Sequence, residues 1–163
     1  MKRLILMRHA KSNWSHPGLR DIERPLNTRG EKSGTVLGKW LRNRNTLPDE
    51  VLCSAATRTQ QTLAGLALPE VPTQVTRDLY LAEPEEMLAV LRRATSDTVL
   101  MLAHNPGIAE LAAALVQDPP EHSGFMRYPT GATLIVDFDI TDWNALKMHS
   151  GTVSDFTVPR DLM

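Results

Sequence analysis

The sequence predicts an α/β protein built in three layers, α/β/α, around a central and mostly parallel sheet. Short apolar runs alternate along the chain with segments of helical periodicity, which is typical of βαβ units. The first of these runs has no polar residue, as expected for a strand that is buried on both faces. The 163 residues suffice for one domain with a sizeable core, so we expect a single domain over residues 1–163.

The amino-acid composition of the chain restricts the classes of partner that it is expected to bind. The formal net charge is −1, from 18 basic and 19 acidic residues, so no overall field favours nucleic acid or a membrane surface. The N-terminal apolar run stops after four residues, which is too short for a signal peptide or a membrane span. We therefore expect a soluble, cytoplasmic protein with no nucleic-acid or membrane partner.

The single cysteine, Cys53, lies in an apolar run and is interpreted as a buried thiol. Oligomeric state is not indicated.

The first half of the chain is interpreted from its apolar runs and turn residues. Residues 4–7 form the first strand, and the polar residues 10–27 form a long loop over its end. Thr28 and Glu31 have the spacing of a capping box and begin a helix that runs to about residue 43. A second strand over residues 50–53 is followed by a helix over residues 56–66.

The remaining elements alternate in the same way. Residues 73–75 form a short edge strand, and Pro84 begins a helix that reaches Arg92. Residues 98–103 form the strongest strand in the sequence. Asn105 is expected to cap the next helix, with Pro106 at its first position.

The C-terminal part of the chain contains one more loop and two more strands. Residues 117–130 lack periodicity and are predicted to be an exposed loop. Further strands are predicted over residues 132–138 and 151–158.

Polar side chains follow three of these strands at the point where each ends. Arg8 and His9 follow the first, the segment 54–58 follows the second, and His104 with Asn105 follows the strongest. Parallel strands bring such ends to one edge of a sheet, where α/β proteins bind ligands. Two arginines, two histidines and a helix N-terminus in one place are typical of a phosphate site.

Histidine is the nucleophile that the sequence favours for chemistry at such a site. Ser12 and Ser54 are available, but neither has an obvious adjacent base in the sequence. Magnesium-dependent aspartyl phosphoryl transfer needs a carboxylate at a strand end, and no strand ends in one before a helix. A neutral imidazole can attack phosphorus directly and form a phosphohistidine, so His9 is the candidate nucleophile.

Several motifs together resemble the histidine phosphatase superfamily, and the resemblance spans nearly the whole chain. They are MRHAKS at residues 7–12, SAATRTQQT at residues 54–62, and His104. Within that superfamily, three further segments are similar to the SixA-type phosphohistidine phosphatase branch, namely RPLN at residues 24–27, HNPG at residues 104–107 and PRDL at residues 159–162. The resemblance implies a phosphoglycerate mutase-like fold, in agreement with the predicted three-layer architecture.

The resemblance also implies roles for individual residues. His9 would be the phosphorylated nucleophile, Arg8 and Arg58 would hold the phosphoryl oxygens, and His104 would be a donor to the transferring group. Ser12 would belong to the phosphate loop, or would only form loop hydrogen bonds. Asn105 is a further candidate for substrate binding. Such proteins require no metal or other cofactor, so none is expected here.

Two positions depart from the wider superfamily pattern. Ala10 stands where mutase-like members carry glycine. In larger members a glutamate protonates the leaving oxygen, and Glu83 is the positional candidate, although it could simply cap the helix that begins at Pro84. An imidazole leaving group needs less help from an acid than an alkoxide does. The expected substrate is therefore a phosphoramidate, for example a protein that carries phosphohistidine.

Three alternatives stay open from the sequence. They are a phosphomonoesterase acting on a small phosphorylated metabolite, a phosphoryl-binding module without turnover, and a mutase. The mutase needs a lid that this chain length hardly allows.

Other polar and aromatic residues are interpreted as structural. His16, His122 and His149 are expected to be exposed, and Asp21 is expected to form a loop salt bridge with Arg24 rather than to contact substrate. Arg160 and Asp161 are expected to anchor the C-terminal tail. Trp14 either shields the pocket or packs beneath the first loop.

Overall fold

Six strands and four α-helices follow one another in the computed structural model, which describes all residues from 1 to 163. The strands are β1 Lys2–Arg8, β2 Glu50–Ser54, β3 Thr73–Thr76, β4 Thr98–Ala103, β5 Thr133–Phe138 and β6 Thr152–Thr157. The helices are α1 Thr28–Asn43, α2 Thr57–Gly65, α3 Pro84–Leu91 and α4 Gly107–Leu115. Short 3-10 turns lie at Asp21–Glu23, Arg77–Leu79, Trp143–Ala145 and Pro159–Leu162.

The strands form one sheet in the order β3-β2-β4-β1-β5-β6. The four strands from β3 to β1 are mutually parallel, and β3 lies at the edge as predicted. β5 is antiparallel to both of its neighbours, β1 and β6. The sheet is therefore mixed, with a parallel part that contains every strand followed by a predicted site residue.

Apolar residues cover both faces of the sheet and produce the three layers. Side chains alternate along a strand, so Ile5 and Met7 of β1 face the layer of α1 and α2, where Leu37 and Leu41 are buried. Leu4 and Leu6 face the opposite layer, which is formed by α3 and α4. This arrangement confirms the predicted α/β/α architecture. Cys53 is buried in the first of these two clusters, as expected.

The start of α1 differs from the prediction by one residue. Asn27 is the N-cap, and its side-chain oxygen accepts a hydrogen bond of 2.8 Å from the backbone N–H of Gly30. The prediction that Thr28 is the N-cap of a capping box with Glu31 is therefore wrong, because Thr28 is already the first helical residue. Asparagine is as good an N-cap as threonine or better. Pro84 does occupy the first position of α3.

The start of α4 also differs. Asn105 does not cap the helix, which begins after Pro106 at Gly107, and the Asn105–Pro106 peptide is cis. The side-chain amide of Asn105 instead donates hydrogen bonds of 2.9 and 3.1 Å to the backbone oxygens of Arg127 and Tyr128. Asn105 therefore ties the end of β4 to the loop over residues 117–130.

That loop is not simply exposed, as the sequence predicted. Phe125 and Tyr128 are among the largest fully buried side chains, and the Tyr128 hydroxyl donates to the backbone oxygen of Leu6. Buried aromatic residues in an irregular segment cannot be recognised from sequence periodicity, because burial there does not follow the repeat of a helix or a strand. No helix of the protein has the length and apolar character needed to cross a membrane.

Candidate active site

The ends of β1, β4 and β2 bring the predicted residues to one edge of the sheet. In the parallel register Arg8 of β1 lies beside Ala103 of β4, so His9 and His104 leave adjacent strands at the same level. Their ring centroids are 5.3 Å apart. A pocket of about 420 Å³ opens at this edge. The predicted convergence of strand ends is therefore present.

Twelve residues line the pocket, and they include six of the predicted site residues. The lining consists of Arg8, His9, Lys11, Ser12, Trp14, Asp21, Arg24, Arg58, Leu81, His104, Asn105 and Thr130. Four of these side chains are permanently cationic at neutral pH, and one is a carboxylate. This excess of positive charge favours an anionic ligand.

His9 is buried and held in one tautomer. It is only 5% exposed, and its Nδ1 lies 2.7 Å from the backbone oxygen of Ala10. A carbonyl can only accept, so Nδ1 carries the proton and Nε2 keeps its lone pair. Burial lowers the pKa of His9 to about 3, helped by the charges of Arg8 and Arg58 and opposed by the Ala10 hydrogen bond. At neutral pH the ring is therefore uncharged and nucleophilic at Nε2.

Ala10 is itself positioned by a buried hydroxyl. Its backbone N–H donates a hydrogen bond of 3.0 Å to Thr62 Oγ1, and Thr62 donates in turn to the backbone oxygen of Arg58. The residue whose carbonyl holds the His9 ring is thus attached to α2. Thr62 belongs to the motif at residues 54–62, but the sequence alone assigned it no role.

His104 is buried beside a serine that the sequence analysis set aside. Its Nε2 lies 2.7 Å from Ser54 Oγ, and both residues are at most 2% exposed. The sequence shows no obvious base beside Ser54, and the fold supplies one from 50 residues away, although Ser54 does not line the pocket. Burial, followed by the proximity of His9 and Arg58, lowers the pKa of His104 to about 3. His104 Nδ1 faces Arg58, whose Nη2 is 3.4 Å away.

Arg58, which is 2% exposed, is oriented by Asp21. Its Nη1 donates to the Asp21 backbone oxygen at 2.7 Å, and its Nη2 donates to the Asp21 carboxylate at 3.0 Å. The predicted salt bridge between Asp21 and Arg24 is present at 3.0 Å. Asp21 in addition bonds Arg58 and the Tyr80 hydroxyl and lines the pocket, which the sequence did not indicate.

Three buried side-chain atoms at this edge have no hydrogen-bond partner. They are Arg8 Nε, Arg58 Nε and Asn105 Oδ1. An unpaired buried polar atom costs about 1–3 kcal/mol, so such atoms are rare outside functional sites. Burial and the charge of Arg58 lower the pKa of Arg8, which indicates two guanidinium groups held close together. A bound oxyanion would relieve this repulsion and supply acceptors for the two arginine Nε atoms.

Ser12 and Trp14 belong to the first loop, which lies over the strand ends as predicted. Ser12 Oγ accepts a hydrogen bond of 2.8 Å from Arg24, so it makes a loop contact while it also lines the pocket. Trp14 is 77% exposed and lies with its ring centroid 3.5 Å from the Arg24 guanidinium carbon. It therefore stands at the pocket rim and does not pack beneath the loop.

Glu83 is the predicted site residue that the structure leaves outside the pocket lining. Its side chain is exposed, and its backbone N–H donates at 3.0 Å to the carboxylate of Glu86 at the start of α3. The backbone near Glu83 packs against Gly107 of α4, where a Cβ would collide with the Ala82 oxygen. The lining of the pocket thus contains no glutamate.

The histidines set aside from the sequence fall into two groups. His16 and His149 are exposed, as expected. His122 is only partly exposed, because its Nε2 lies 2.7 Å from the Asp161 carboxylate and its ring packs against Phe156. The expected anchoring of the tail through Asp161 is therefore present, and His122 is the partner that the sequence did not indicate. No group of three or more His, Cys, Asp or Glu side chains is arranged to hold a metal ion.

Comparison with known proteins agrees with this geometry. The sequence model of the histidine phosphatase superfamily (branch 1) matches residues 4–83. An uncharacterized protein of Mycobacterium tuberculosis is 38% identical over 111 residues, which are 67% of this chain and 69% of that protein.

Two solved structures share nearly the whole fold. One is a candidate phosphohistidine phosphatase SixA of Nakamurella multipartitia, with a TM-score of 0.84, 28% identity, and coverage of 97% of this chain and 96% of the other. The second is the protein histidine phosphatase SixA in complex with tungstate, with a TM-score of 0.80, 25% identity and coverage of 99% of each chain. By fold, family match and paired strand-end histidines, the chain belongs to the histidine phosphatase superfamily and resembles its SixA-type branch.

Proposed function

We propose that this protein hydrolyses protein phosphohistidine, or another phosphoramidate, through a covalent phosphohistidine on His9. The observation that carries the proposal is the hydrogen bond from His9 Nδ1 to the Ala10 oxygen, which leaves Nε2 with its lone pair in a cationic pocket. The similarity to a SixA protein that binds tungstate, an oxyanion, supports the same ligand class. The reaction is proposed to need no metal.

In the first step the phosphoryl group moves from the substrate to His9. The Nε2 lone pair forms a bond to phosphorus while the P–N bond of the substrate breaks, and its electron pair leaves with the substrate imidazole. Arg8 and Arg58 bind the phosphoryl oxygens and offset the charge of the transferring group. The resulting His9 ring carries a proton on Nδ1 and a phosphoryl group on Nε2.

His104 contributes a donor to the same group. In this structure His104 Nδ1 accepts from Arg58 Nη2, because a guanidinium can only donate, so the proton of the ring is on Nε2. To hydrogen-bond a phosphoryl oxygen, Nδ1 must instead carry the proton, and Nε2 must accept one from Ser54. A hydroxyl both donates and accepts, so Ser54 pairs with either tautomer of His104. Ser54 is therefore a positioning residue for the donor.

In the second step water attacks the phosphohistidine. The water oxygen bonds to phosphorus, and the bond from phosphorus to His9 Nε2 breaks and returns its electron pair to nitrogen. One water proton moves to a phosphoryl oxygen, so dihydrogen phosphate leaves and neutral His9 is restored. Burial and the neighbouring arginines favour that neutral form.

The lining of the pocket supports an imidazole leaving group over an alkoxide. An alkoxide needs a proton from a positioned acid, whose contribution is typically about 10²- to 10⁴-fold in rate. Asp21 is the one acidic residue in the lining, and its carboxylate is ion-paired with Arg24 and Arg58. Glu83 is proposed as a helix-start residue rather than the acid.

The test is a substrate panel measured with wild type and His9→Ala after treatment with EDTA. We expect the highest kcat/KM for a phosphohistidine peptide, lower values for sugar phosphates and nucleotides, and an acid-labile phosphoryl adduct in wild type alone. Higher kcat/KM for a metabolite phosphate would identify a phosphomonoesterase. Binding without turnover would identify a recognition module, and turnover by His9→Ala would refute the mechanism. Loss of activity in EDTA, restored by a divalent metal, would refute metal independence.

The role of Glu83 has a separate test. Glu83→Gln is expected to leave hydrolysis of a phosphoramidate and of a phosphate monoester equally intact. A selective loss on the monoester would instead identify Glu83 as the general acid.

A further inference from the structure

Asp21 is the one carboxylate in an otherwise cationic pocket, and its position is built from several contacts. Its Oδ1 accepts from Arg24 Nε at 3.0 Å, while Oδ2 accepts from Arg58 Nη2 at 3.0 Å and from the Tyr80 hydroxyl. These donors come from the first loop, from α2 and from the segment after β3. The carboxylate is thus fixed from three parts of the chain.

The contacts leave Asp21 with capacity for a further donor. A carboxylate offers about four acceptor positions, and the three side-chain donors occupy three of them. The Asp21 side chain is 43% exposed and lines the pocket, so a bound substrate can reach it. A phosphoryl dianion has no proton to donate, which means that the free acceptor position suits another part of the substrate.

Asp21 acts as an acceptor and not as an acid. Partial burial raises its pKa, but the hydrogen bonds from Tyr80 and Arg24 and the charge of Arg58 outweigh this effect and bring the pKa to about 2. The groups that face the carboxylate are Arg24, Arg58, Tyr80 and, across the pocket, His104. At neutral pH it holds no proton to give to a leaving group.

The chemistry of a phosphorylated imidazole calls for such an acceptor. When the second ring nitrogen carries a proton, cleavage of the P–N bond releases a neutral imidazole and needs no further proton transfer. When that nitrogen is bare, the same cleavage releases an imidazolate, which is a far poorer leaving group. A carboxylate hydrogen-bonded to the distal N–H favours the protonated form of the substrate.

We propose that the Asp21 carboxylate accepts the distal N–H of the substrate imidazole and thereby selects phosphohistidine as substrate. This inference rests on the proposed function and identifies the residue that replaces a general acid. The proton stays on the distal nitrogen throughout: the bond from His9 Nε2 to phosphorus forms, the P–N bond of the substrate breaks, and neutral imidazole leaves. The same negative charge disfavours substrates that carry a second anionic group beside the phosphoryl group.

The test compares Asp21→Asn with wild type on a phosphohistidine peptide and on phenyl phosphate. We expect the ratio of kcat/KM for the peptide to kcat/KM for phenyl phosphate to fall by about 10- to 100-fold, since the substitution removes a charge-assisted hydrogen bond. Both substrates are measured on one preparation, so the ratio does not depend on the folded fraction. Glu23→Gln is the matched control, because Glu23 lies on the same 3-10 turn and bonds only Arg20.

The pH dependence of kcat provides a second readout. Activity on the peptide falls as rising pH removes the distal proton of the bound substrate. In wild type the carboxylate raises the pKa of that proton, so the fall is expected at a higher pH than in Asp21→Asn.

Two outcomes separate this inference from the proposed function. A substrate ratio and an alkaline limit that are both unchanged in Asp21→Asn would show that Asp21 only orients Arg58, and the inference would be overturned. A wild-type enzyme that hydrolyses phenyl phosphate but not the phosphohistidine peptide would instead overturn the proposed function.

Discussion

The ends of β1 and β4 present the same residue type with similar burial, yet they hold it through different hydrogen bonds. His9 and His104 are both buried, and burial lowers the pKa of each to about 3. His9 is held through Nδ1 by a backbone carbonyl, whereas His104 is held through Nε2 by the hydroxyl of Ser54. A carbonyl can only accept a hydrogen bond and therefore fixes one tautomer, whereas a hydroxyl can donate or accept and therefore pairs with either tautomer.

We propose that this difference gives the two histidines on adjacent strands different roles. A nucleophile needs a permanent lone pair, which the fixed tautomer of His9 provides at Nε2. A donor to a transferring group needs a proton on the nitrogen that faces the pocket. For His104 that nitrogen is Nδ1, and Ser54 permits a proton there because its hydroxyl can donate to Nε2. Under this proposal the two roles depend on the group that holds each ring, a carbonyl for His9 and a hydroxyl for His104, and not on burial.

Removing the nucleophile is expected to have the largest effect. His9→Ala is expected to lower kcat/KM on a phosphohistidine peptide by about 10⁴-fold or more, because no other imidazole in the pocket is held by a backbone carbonyl with its second nitrogen free. The measurement is steady-state turnover together with trapping of the acid-labile adduct. An adduct of undiminished yield in His9→Ala would contradict the assignment.

Removing the donor is expected to cost less. His104→Ala is expected to lower kcat by about 10²- to 10³-fold, as for the loss of one preorganised donor to a transition state. Because His9 is intact, the phosphoryl adduct still forms in single-turnover experiments, only more slowly. If His104→Ala abolished the adduct entirely, the two histidines would not have the distinct roles described above.

The contact between Ser54 and His104 is expected to contribute a smaller factor. Ser54→Ala is expected to lower kcat by about 10-fold, since one hydrogen bond to the donor ring is lost and Nε2 is left unpaired. Nitrogen NMR chemical shifts of His104 report whether its tautomer changes, which a purely structural role would not cause.

Ser33→Ala is the matched control for this variant. Ser33 is also buried, but its hydroxyl bonds the Arg29 backbone oxygen within α1. An equal loss of activity in both serine variants would show that the effect is general destabilisation.

The smallest expected effect concerns stability at acidic pH. An unfolded histidine has a pKa near 6.5, and His9 in the folded protein has a pKa of about 3. Between these values the unfolded state binds more protons, so the free energy of unfolding falls as the pH falls from about 6.5 towards 3. In His9→Gln this fall is expected to be smaller, as measured by urea denaturation at pH 7 and pH 5. His16→Gln, at an exposed position, is the control, and identical pH profiles in all three proteins would contradict the burial argument.

The elements of the fold were largely predictable, since their signals are local. The apolar runs at β1, β2, β4 and β5 and the proline at the start of α3 need no distant partner to be recognised. The predicted helix starts were wrong where another residue or another hydrogen-bond partner competed with the expected cap. Asn27 is a good cap one residue before Thr28, and Asn105 found carbonyl partners in a loop more than 20 residues away.

The site was predictable in its principal residues but not in its connections. Arg8 ends β1, His9 and His104 directly follow β1 and β4, and Arg58 lies in the first turn of the helix after β2, so the parallel sheet brings them together. The bond between Ser54 and His104 joins residues 50 positions apart, and Tyr80 meets Asp21 across 59 positions. For Asp21 the sequence offered one signal, its spacing to Arg24, and that signal indicated only a loop salt bridge.

The sequence by itself thus determined which groups stand at the ends of the strands, because strand periodicity and chain order are properties of neighbouring residues. Only the tertiary structure decided which group contacts each histidine nitrogen and where the lone carboxylate of the pocket lies. Those properties depend on hydrogen-bond distances between side chains that are far apart in the chain. A change of about 1 Å in such a distance removes the bond, and no local pattern encodes it.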